Sequence, residues 1–309
     1  MDEPVLLTGA GGRVGQAILR GIGDDYDWRL LDREPLPAAK VPSGVTDADR
    51  YVADITDERA VREAVADVGA VIHLAGDPRK TAPWDSVLRN NIDGTQVVLR
   101  AAAEAGVEKF AFASSNHAVG GYETDERTPD LYRPEDEYRL DGSELPRPGN
   151  LYGVSKAAGE SLGRFYHDEF GMSVVCVRIG NLTKDHPPRE YERGQAMWLS
   201  HRDCAHLFDR CLRATYGYEV VYGISNNDRR YYSIERAREA LGYDPADNSA
   251  DYTFEGEPKP DRDTEANGGR YAVGADSSDA AGADSTDAGD AAPAEPNFPT
   301  DPDAPSDDA

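Results

Sequence analysis

Short apolar runs alternate with stretches of helical periodicity along the first 250 residues of the chain. Six of these runs are candidate strands: VLL (5–7), WRLLD (28–32), AVIHLAG (70–76), KFAFASS (109–115), MSVVCVRIG (172–180) and EVVYG (219–223). The sequence between them predicts helices, among them one near 13–22 and a long one near 84–105. Nearly continuous apolar strands separated by helices are typical of a parallel sheet covered on both faces. We therefore expect a doubly wound α/β sheet of the Rossmann type, which binds ligands beyond the carboxyl ends of its strands.

The alternation stops well before the end of the chain. Residues 260–309 contain 13 acidic and 2 basic residues, so −11 of the formal net charge of −25 lies in this segment. Low hydrophobicity combined with high net charge predicts disorder. We expect a Rossmann domain over 1–258, with small ligand-binding elements at about 181–200 and 224–258, followed by a disordered acidic tail over 259–309.

The rest of the chain is still acidic, and the whole chain contains 6 lysines against 27 arginines. A negative surface repels phosphate backbones, so we expect no nucleic-acid partner. Surface carboxylates suit a protein that works in concentrated salt, where their mutual repulsion is screened. The sequence has no signal peptide and no apolar run of about 18 residues, which predicts a cytoplasmic protein without a membrane partner. The cysteines are not at metal-ligand spacing, so no metal is expected.

A glycine-rich segment, TGAGGRVG (8–15), joins the first predicted strand to the first helix. Its GxxGxxG spacing is formed by Gly9, Gly12 and Gly15. Glycines in this context let the backbone turn close to a dinucleotide pyrophosphate at the helix N-terminus. Asp32 ends the second strand, where a carboxylate accepts the ribose hydroxyls of NAD and repels a 2′-phosphate. Arg33 follows directly and could bind that phosphate instead, so NADP remains an alternative to NAD.

The segment ADITD (53–57) offers Asp54 to the adenine amino group of the same cofactor. The alternative role for a carboxylate here is to cap the next helix. That role suits Thr56 or Asp57 better, because they stand closer to the helical pattern.

A tyrosine and a lysine stand four residues apart in YGVSK (152–156), at the start of a helical pattern. This spacing places Tyr152 and Lys156 on one helix face. A nearby ammonium favours the phenolate, which can take a proton from a substrate hydroxyl while hydride leaves for a nicotinamide. The alternative is that both are surface residues of the helix.

Five features occur together in one order: the glycine loop, HLAG (73–76), NNIDGT (90–95), a strand ending in serine, and the Tyr/Lys pair. In this the chain resembles the extended short-chain dehydrogenases/reductases over about residues 3–250. The resemblance implies NAD as the cofactor, a homo-oligomer, and a catalytic set of Ser115, Tyr152 and Lys156, with Asn91 supporting the lysine through water. The cofactor site that it implies consists of Gly9, Gly12, Arg13, Val14, Gly15, Asp32, Asp54, Ile55, Leu74, Ala75, Gly76, Asn91, Tyr152 and Lys156.

The segments FASSNH, YGVSKAAGE, RIGN and MWLS narrow the resemblance to two related groups. These are the uronate dehydrogenases and the NAD-dependent glucose-6-phosphate dehydrogenases of halophilic archaea, which oxidise a pyranose at its anomeric carbon and accept an anion at C6. The resemblance implies sugar contacts from Ser115, Asn116, His117, Asn181 and Arg193, with Arg193 on the anion. For His117, a packed core position is the alternative, whereas a metal would need further ligands at suitable spacing.

Extra cations distinguish the two groups. The loop NLTKDHPPREYER (181–193) adds Lys184, His186 and Arg189, and DPRK (77–80) adds two more. One bidentate arginine satisfies a carboxylate, whereas a phosphate monoester carries more charge and three acceptor oxygens. We therefore expect oxidation of glucose 6-phosphate at C1 to 6-phosphogluconolactone, with Lys184 and Arg189 on the phosphate. Surface pairing of these two with Asp185 and Glu190 is the other interpretation.

Three other functions are less consistent with the sequence. Uronate oxidation to an aldarolactone is the main alternative, because one arginine suffices for its carboxylate. A nucleotide-sugar epimerase or dehydratase needs a larger carboxyl-terminal substrate domain than the few residues that follow the sixth strand. A non-catalytic NAD sensor would not need to keep both Tyr152 and Lys156.

Overall fold

The computed structural model describes residues 3–123, 140–183, 186–188 and 192–252. The strands are β1 Val5–Thr8, β2 Trp28–Asp32, β3 Arg50–Val52, β4 Ala70–His73, β5 Lys109–Ser115, β6 Ser173–Ile179, β7 Asn181–Leu182, β8 Trp198–Leu199 and β9 Tyr218–Gly223. Seven of them form one parallel sheet in the order β3-β2-β1-β4-β5-β6-β9, and β7 pairs with β8. From β1 the chain first adds strands on one side of the sheet, and from β4 onward it adds them on the other side. Doubly wound sheets bind their ligands at the point where the strand order changes in this way.

Helices cover both faces of this sheet. They are α1 Arg13–Ile22, α2 Glu58–Val65, α3 Trp84–Val87, α4 Gly94–Glu104, α5 Leu151–Phe170, α6 Glu192–Ala196, α7 His201–Arg213 and α8 Glu235–Leu241. Successive strand residues point to opposite faces. Leu7 of β1 accordingly joins the apolar cluster under α1 and α7, whereas Leu6 joins the cluster under α2 and α4. The strands are therefore apolar without interruption, as the sequence pattern predicts.

The doubly wound fold is confirmed, and all six predicted strands are present. The sequence pattern misses β3, because this edge strand has three partly exposed residues and no apolar run. The long helix predicted near 84–105 is present as helical backbone over 84–104, but it is not α-helical throughout. A π-helical turn over Leu88–Asp93 separates α3 from α4 and carries Asn91 into the interior. Gly94 follows this turn, where a Cβ atom would lie 2.5 Å from Ile55 Cδ1.

The structure tests two expectations about the whole chain only in part. The predicted acidic tail, 259–309, lies outside the described residues, so its disorder and the boundary at 258 stay predictions. Within the described part of the chain, every helix is too short or too polar to cross a membrane.

A buried arginine ties α5 to the sheet. Arg178 of β6 is 1 % exposed, and its Nε and Nη2 donate to the two carboxylate oxygens of Glu160 at 2.8 and 2.9 Å. Its Nη1 pairs with Glu144, in the segment that precedes α5. Glu160 also accepts a hydrogen bond of 2.6 Å from the Ser114 hydroxyl on β5. The position of α5 over β5 and β6 thus depends on this charge cluster.

Arg178→Met should lower the free energy of unfolding by about 3–5 kcal/mol, because Glu160 and Glu144 would remain buried without their partner. Urea unfolding in concentrated salt measures the loss. The matched control is Arg164→Met, which removes an arginine paired with Asp168 on the exposed face of α5 and should leave the free energy nearly unchanged. Equal losses in both variants would contradict the role given to the cluster.

Candidate active site

A cleft of about 1400 Å³ opens at the carboxyl ends of β1, β2, β4, β5 and β6. Most of the predicted site residues line it: Gly9, Gly12, Arg13, Val14, Gly15, Asp32, Asp54, Ile55, Leu74, Ala75, Gly76, Ser115, Asn116, His117, Tyr152, Lys156 and Asn181. The fold therefore brings residues from across the sequence to one edge of the sheet, as expected for a doubly wound architecture.

The glycine loop takes a path that larger residues would block. Gly9 has φ +70°, and a Cβ atom on it would lie 2.8 Å from the backbone nitrogen of Ala75. A Cβ atom on Gly15 would lie 2.7 Å from the carbonyl oxygen of Ala10. The N-cap of α1 is Gly12, which provides no side-chain hydrogen bond, so the first N–H groups of the helix can bind an anion such as a pyrophosphate. This loop fits a dinucleotide.

The carboxylates predicted to bind the cofactor are both at the cleft. Asp32 Oδ2 accepts a hydrogen bond of 2.8 Å from Gly11 N, which joins the end of β2 to the glycine loop. Asp54 accepts hydrogen bonds from the backbone and hydroxyl of Thr56, and these together with nearby arginines keep its pKa below the usual value. Asp57 caps α2, as the sequence suggests. Asp54 is thus an ionised acceptor at the cleft.

Asn91 differs from the other residues of the predicted cofactor site, because it is buried behind the cleft. Its amide oxygen accepts from Asp77 N at 2.6 Å, and its nitrogen donates to Asp77 O at 3.0 Å and to Ser155 Oγ at 2.9 Å. Its contacts fix the strand-end turn and helix α5 relative to each other. Support of Lys156 through a water stays a prediction.

The predicted catalytic residues lie together. Asn150 caps α5 by accepting from Gly153 N at 2.8 Å, which sets the start of the helix beside the cleft. Lys156 Nζ lies 5.6 Å from the centre of the Tyr152 ring and donates to the carbonyl oxygen of Ala113 at 2.8 Å. The hydroxyl of Ser115 is close enough to that of Tyr152 to act on the pKa of the tyrosine. Lys156 is 5 % exposed, so the alternative of surface helix residues is wrong.

Burial controls the protonation of this pair. It raises the pKa of Tyr152 to about 12, although the hydroxyl of Ser115 acts in the opposite direction. It lowers the pKa of Lys156 to about 8, against the effect of Glu160. The expected lowering of the tyrosine pKa by the lysine is thus outweighed by desolvation. A phenolate here requires positive charge beyond that of Lys156.

A second group of predicted residues lies on the far side of Tyr152. The ring of His117 contacts that of Tyr152 edge-on at 5.7 Å, and its Nδ1 lies 3.1 Å from Asn150 Nδ2. The amide of Asn116, oriented to satisfy both partners, donates to Ile179 O at 3.2 Å and accepts from Arg193 Nη2 at 3.1 Å. Burial, assisted by Arg193 and Lys80, lowers the pKa of His117 to about 4. His117 is therefore neutral at physiological pH.

Arg193, which is predicted to bind the substrate anion, is not among the residues that line the cleft. Arg193 is held in an ion pair with Glu123 and lies beside the cleft residue Asn116. Lys184 and Arg189 are outside the described residues. Arg79 donates to the carboxylate of Asp77 at 2.6 Å.

Sequence reasoning misses Glu123 and Tyr232, which surround Arg193. They belong to no motif, and only the fold brings them together.

The profile of the NAD dependent epimerase/dehydratase family matches residues 5–201, which include the glycine loop, Tyr152 and Lys156. The chain belongs to this family. The predicted resemblance to short-chain dehydrogenases/reductases is thereby confirmed.

Members of the family with assigned activities extend the comparison. The NAD-dependent glucose-6-phosphate dehydrogenase of Haloferax volcanii is 74% identical over 258 residues, which cover 84% of this chain and 98% of that enzyme. The L-arabinose 1-dehydrogenase (NAD(P)(+)) of the same organism is 36% identical, covering 80% of this chain and 97% of that enzyme. A uronate dehydrogenase from Agrobacterium tumefaciens, solved as a mutant complexed with NAD, is 32% identical with a TM-score of 0.68 and covers 81% and 86% of the two chains.

The low pKa of His117 predicts that acid destabilises the folded protein, and that a substitution of His117 removes this part of the pH dependence. An unfolded histidine takes up a proton near pH 6.5, whereas the folded one does so near pH 4. The free energy of unfolding should therefore fall as the pH drops from about 6.5 to about 4, by about 1.4 kcal/mol per pH unit for this residue. Urea titrations give the free energy of unfolding of the wild type and of His117→Gln. The difference between the two free energies should change by about 1.4 kcal/mol per pH unit over this range. A difference that is constant with pH would contradict the prediction.

Proposed function

We propose that the protein is an NAD-dependent glucose-6-phosphate dehydrogenase, which oxidises glucose 6-phosphate at C1 to 6-phosphogluconolactone. The observation that carries the proposal is the 74% identity to the Haloferax volcanii enzyme across 98% of its length. The cleft supports it, because the glycine loop, Asp32 and the set of Ser115, Tyr152 and Lys156 lie along one continuous surface.

The residues of the cleft divide the chemistry between them. When bound, NAD would supply the acceptor for the hydride that leaves C1 of the sugar. Tyr152 takes the proton of the C1 hydroxyl, and Ser115 holds the oxygen of that hydroxyl by a hydrogen bond. Lys156 stabilises the phenolate of Tyr152 with its ammonium group, which the carbonyl of Ala113 keeps in place. The products are the lactone, the reduced cofactor that carries the hydride, and a proton that leaves through Tyr152.

Two cationic side chains act on the part of the cleft that His117 lines. Arg193 and Lys80 both act on His117, which lines the cleft there. We assign this region to the C6 anion, with Arg193 as its principal partner and with Lys184 and Arg189 as further phosphate ligands. Uronate oxidation is the second candidate, because the uronate dehydrogenase structure shares the fold at a TM-score of 0.68.

Initial rates decide between the two substrates. The purified protein is assayed with NAD in concentrated KCl, with glucose 6-phosphate, glucuronate or galacturonate as the sugar. We expect reduction of NAD with glucose 6-phosphate. Turnover of a uronate without turnover of glucose 6-phosphate would overturn the proposal in favour of the second candidate.

Tyr152→Phe should lower kcat by about 10²- to 10⁴-fold, because the proton acceptor is lost while the ring remains. The affinity for NAD should stay near that of the wild type, as measured by quenching of protein fluorescence. Ser161→Ala serves as the control, since this hydroxyl lies on the exposed side of α5 and donates only to the helix backbone at Ala157. Full activity of Tyr152→Phe would refute the assignment of the base.

The double substitution of Lys184 and Arg189 by alanine tests the phosphate assignment. It should raise the KM for glucose 6-phosphate, because two cations would be removed from a dianionic ligand, and should leave the KM for NAD unchanged. Steady-state kinetics provide both constants. Unchanged kinetics would mean that these cations only pair with their acidic neighbours.

We also propose a homo-oligomer in the cytoplasm. The three cysteines, Cys176, Cys204 and Cys211, are all buried and free, which supports a reducing compartment. Light scattering coupled to gel filtration in concentrated salt measures the oligomeric state, and a monomer would refute that part.

A further inference from the structure

A buried ion pair lies next to the turn that carries Asn116 and His117. Glu123 follows the 3₁₀ helix Asn116–Tyr122 and pairs with Arg193 at the start of α6. The exposed fractions of the two side chains are 5% for the glutamate and 16% for the arginine. The pair lies behind the cleft lining, and Arg193 reaches that lining through its contact with Asn116.

The arginine is held on two sides. Its Nε donates to the carboxylate of Glu123, and its Nη2 lies 3.1 Å from the amide oxygen of Asn116. A guanidinium is planar, with its donors in a fixed fork, so two such hydrogen bonds determine the direction in which the whole group faces. An arginine side chain without them would sample many rotamers, and ordering it would weaken the binding of a substrate.

The glutamate is fixed in turn. The hydroxyl of Tyr232 donates to Glu123 Oε1 at 2.5 Å, and the Tyr232 ring stacks on that of Tyr222 at 4.4 Å. Burial acts to raise the pKa of Glu123, but Arg193 and the hydrogen bonds from Arg193 and Tyr232 lower it below the usual value. The carboxylate is therefore ionised, and it compensates the charge of Arg193, which would otherwise be a costly buried cation.

We infer that Glu123 is a positioning residue for the sugar anion: it presets the guanidinium of Arg193, and Tyr232 fixes Glu123. The inference rests on the proposed function in that Arg193 receives the C6 anion of the substrate. It holds whether that anion is a phosphate or a carboxylate. Glu123 acts through Arg193 alone and contacts neither the reacting carbon nor the cofactor.

Glu123→Ala should raise the KM for glucose 6-phosphate by about tenfold, because loss of one partner of a buried pair leaves the other misplaced. The value of kcat and the KM for NAD should stay within about twofold of the wild type, since a uniform loss of substrate binding alters KM alone. Arg193 and Tyr232 donate to different oxygens of Glu123, so Glu123→Gln, which has one oxygen, can keep one of the two hydrogen bonds. Its KM should therefore lie between those of the wild type and the alanine variant, and a KM as high as that of the alanine variant would contradict positioning by hydrogen bonding.

A milder variant tests the same chain of contacts without removing a buried charge. Tyr232→Phe deletes only the hydroxyl that fixes Glu123, and should raise the KM for glucose 6-phosphate about threefold, within the effect of one lost hydrogen bond. The matched control is Tyr222→Phe, which loses a hydroxyl on the adjacent stacked ring. That hydroxyl donates to Glu144, the partner of Arg178, so its loss should not change the KM.

A double-mutant cycle decides whether Glu123 acts through Arg193. In the background of Arg193→Ala, the further change Glu123→Ala should have no effect on the KM, because the group that it positions is gone. An equal effect of Glu123→Ala in both backgrounds would overturn the inference, as would equal effects of the two tyrosine variants. If the wild type oxidises only uronates, the proposed substrate fails, and the same cycle with glucuronate still tests Glu123.

Discussion

The close approach of α5 to β5 is the constraint on which the active site depends. Gly159 makes this approach possible, because a Cβ atom on it would lie 2.2 Å from Phe112 Cζ. Two polar contacts then fix the helix along the strand: Lys156 donates to Ala113 O, and Ser114 donates to Glu160. With the helix held at these points, Tyr152 at its first turn meets the serine that ends the strand. The catalytic geometry is therefore a consequence of helix–strand packing.

The sequence predicts this centre well, because its signals are local. The apolar runs specify the strands, the glycine spacing specifies the turn before α1, and the Tyr152–Lys156 spacing specifies one helix face. The π-helical turn at Leu88–Asp93 has no such local signal. The residue that follows it, Gly94, packs so closely against Ile55 that a Cβ atom would not fit, and these two residues are far apart in the sequence. The helical pattern of the sequence runs through this turn, so it does not predict the π-helical backbone that places Asn91 in the interior.

The contacts around Arg193 could not be predicted from the sequence either, because they join residues that are far apart along the chain. Glu123, Tyr232 and Arg193 come from three separate segments and meet only in the folded chain. The sequence identifies the arginine through its resemblance to a family, but charge counting treats it as one more free cation. The structure shows that its charge is already compensated. The number of cations near an anion site is thus a poor measure of its net charge, and neighbouring carboxylates have to be included.

Burial has opposite effects on the two catalytic groups, and together they limit when the base is active. It raises the pKa of Tyr152 to about 12 and lowers that of Lys156 to about 8. The site alone therefore favours a neutral phenol beside an ammonium group that loses its proton more easily than an exposed lysine does. Positive charge brought into the low-dielectric cleft would reverse this preference, because it favours the phenolate without the screening that water provides. The phenolate of such a tyrosine is populated only when a cationic partner shares the cleft, which would link proton removal to the presence of the oxidised cofactor.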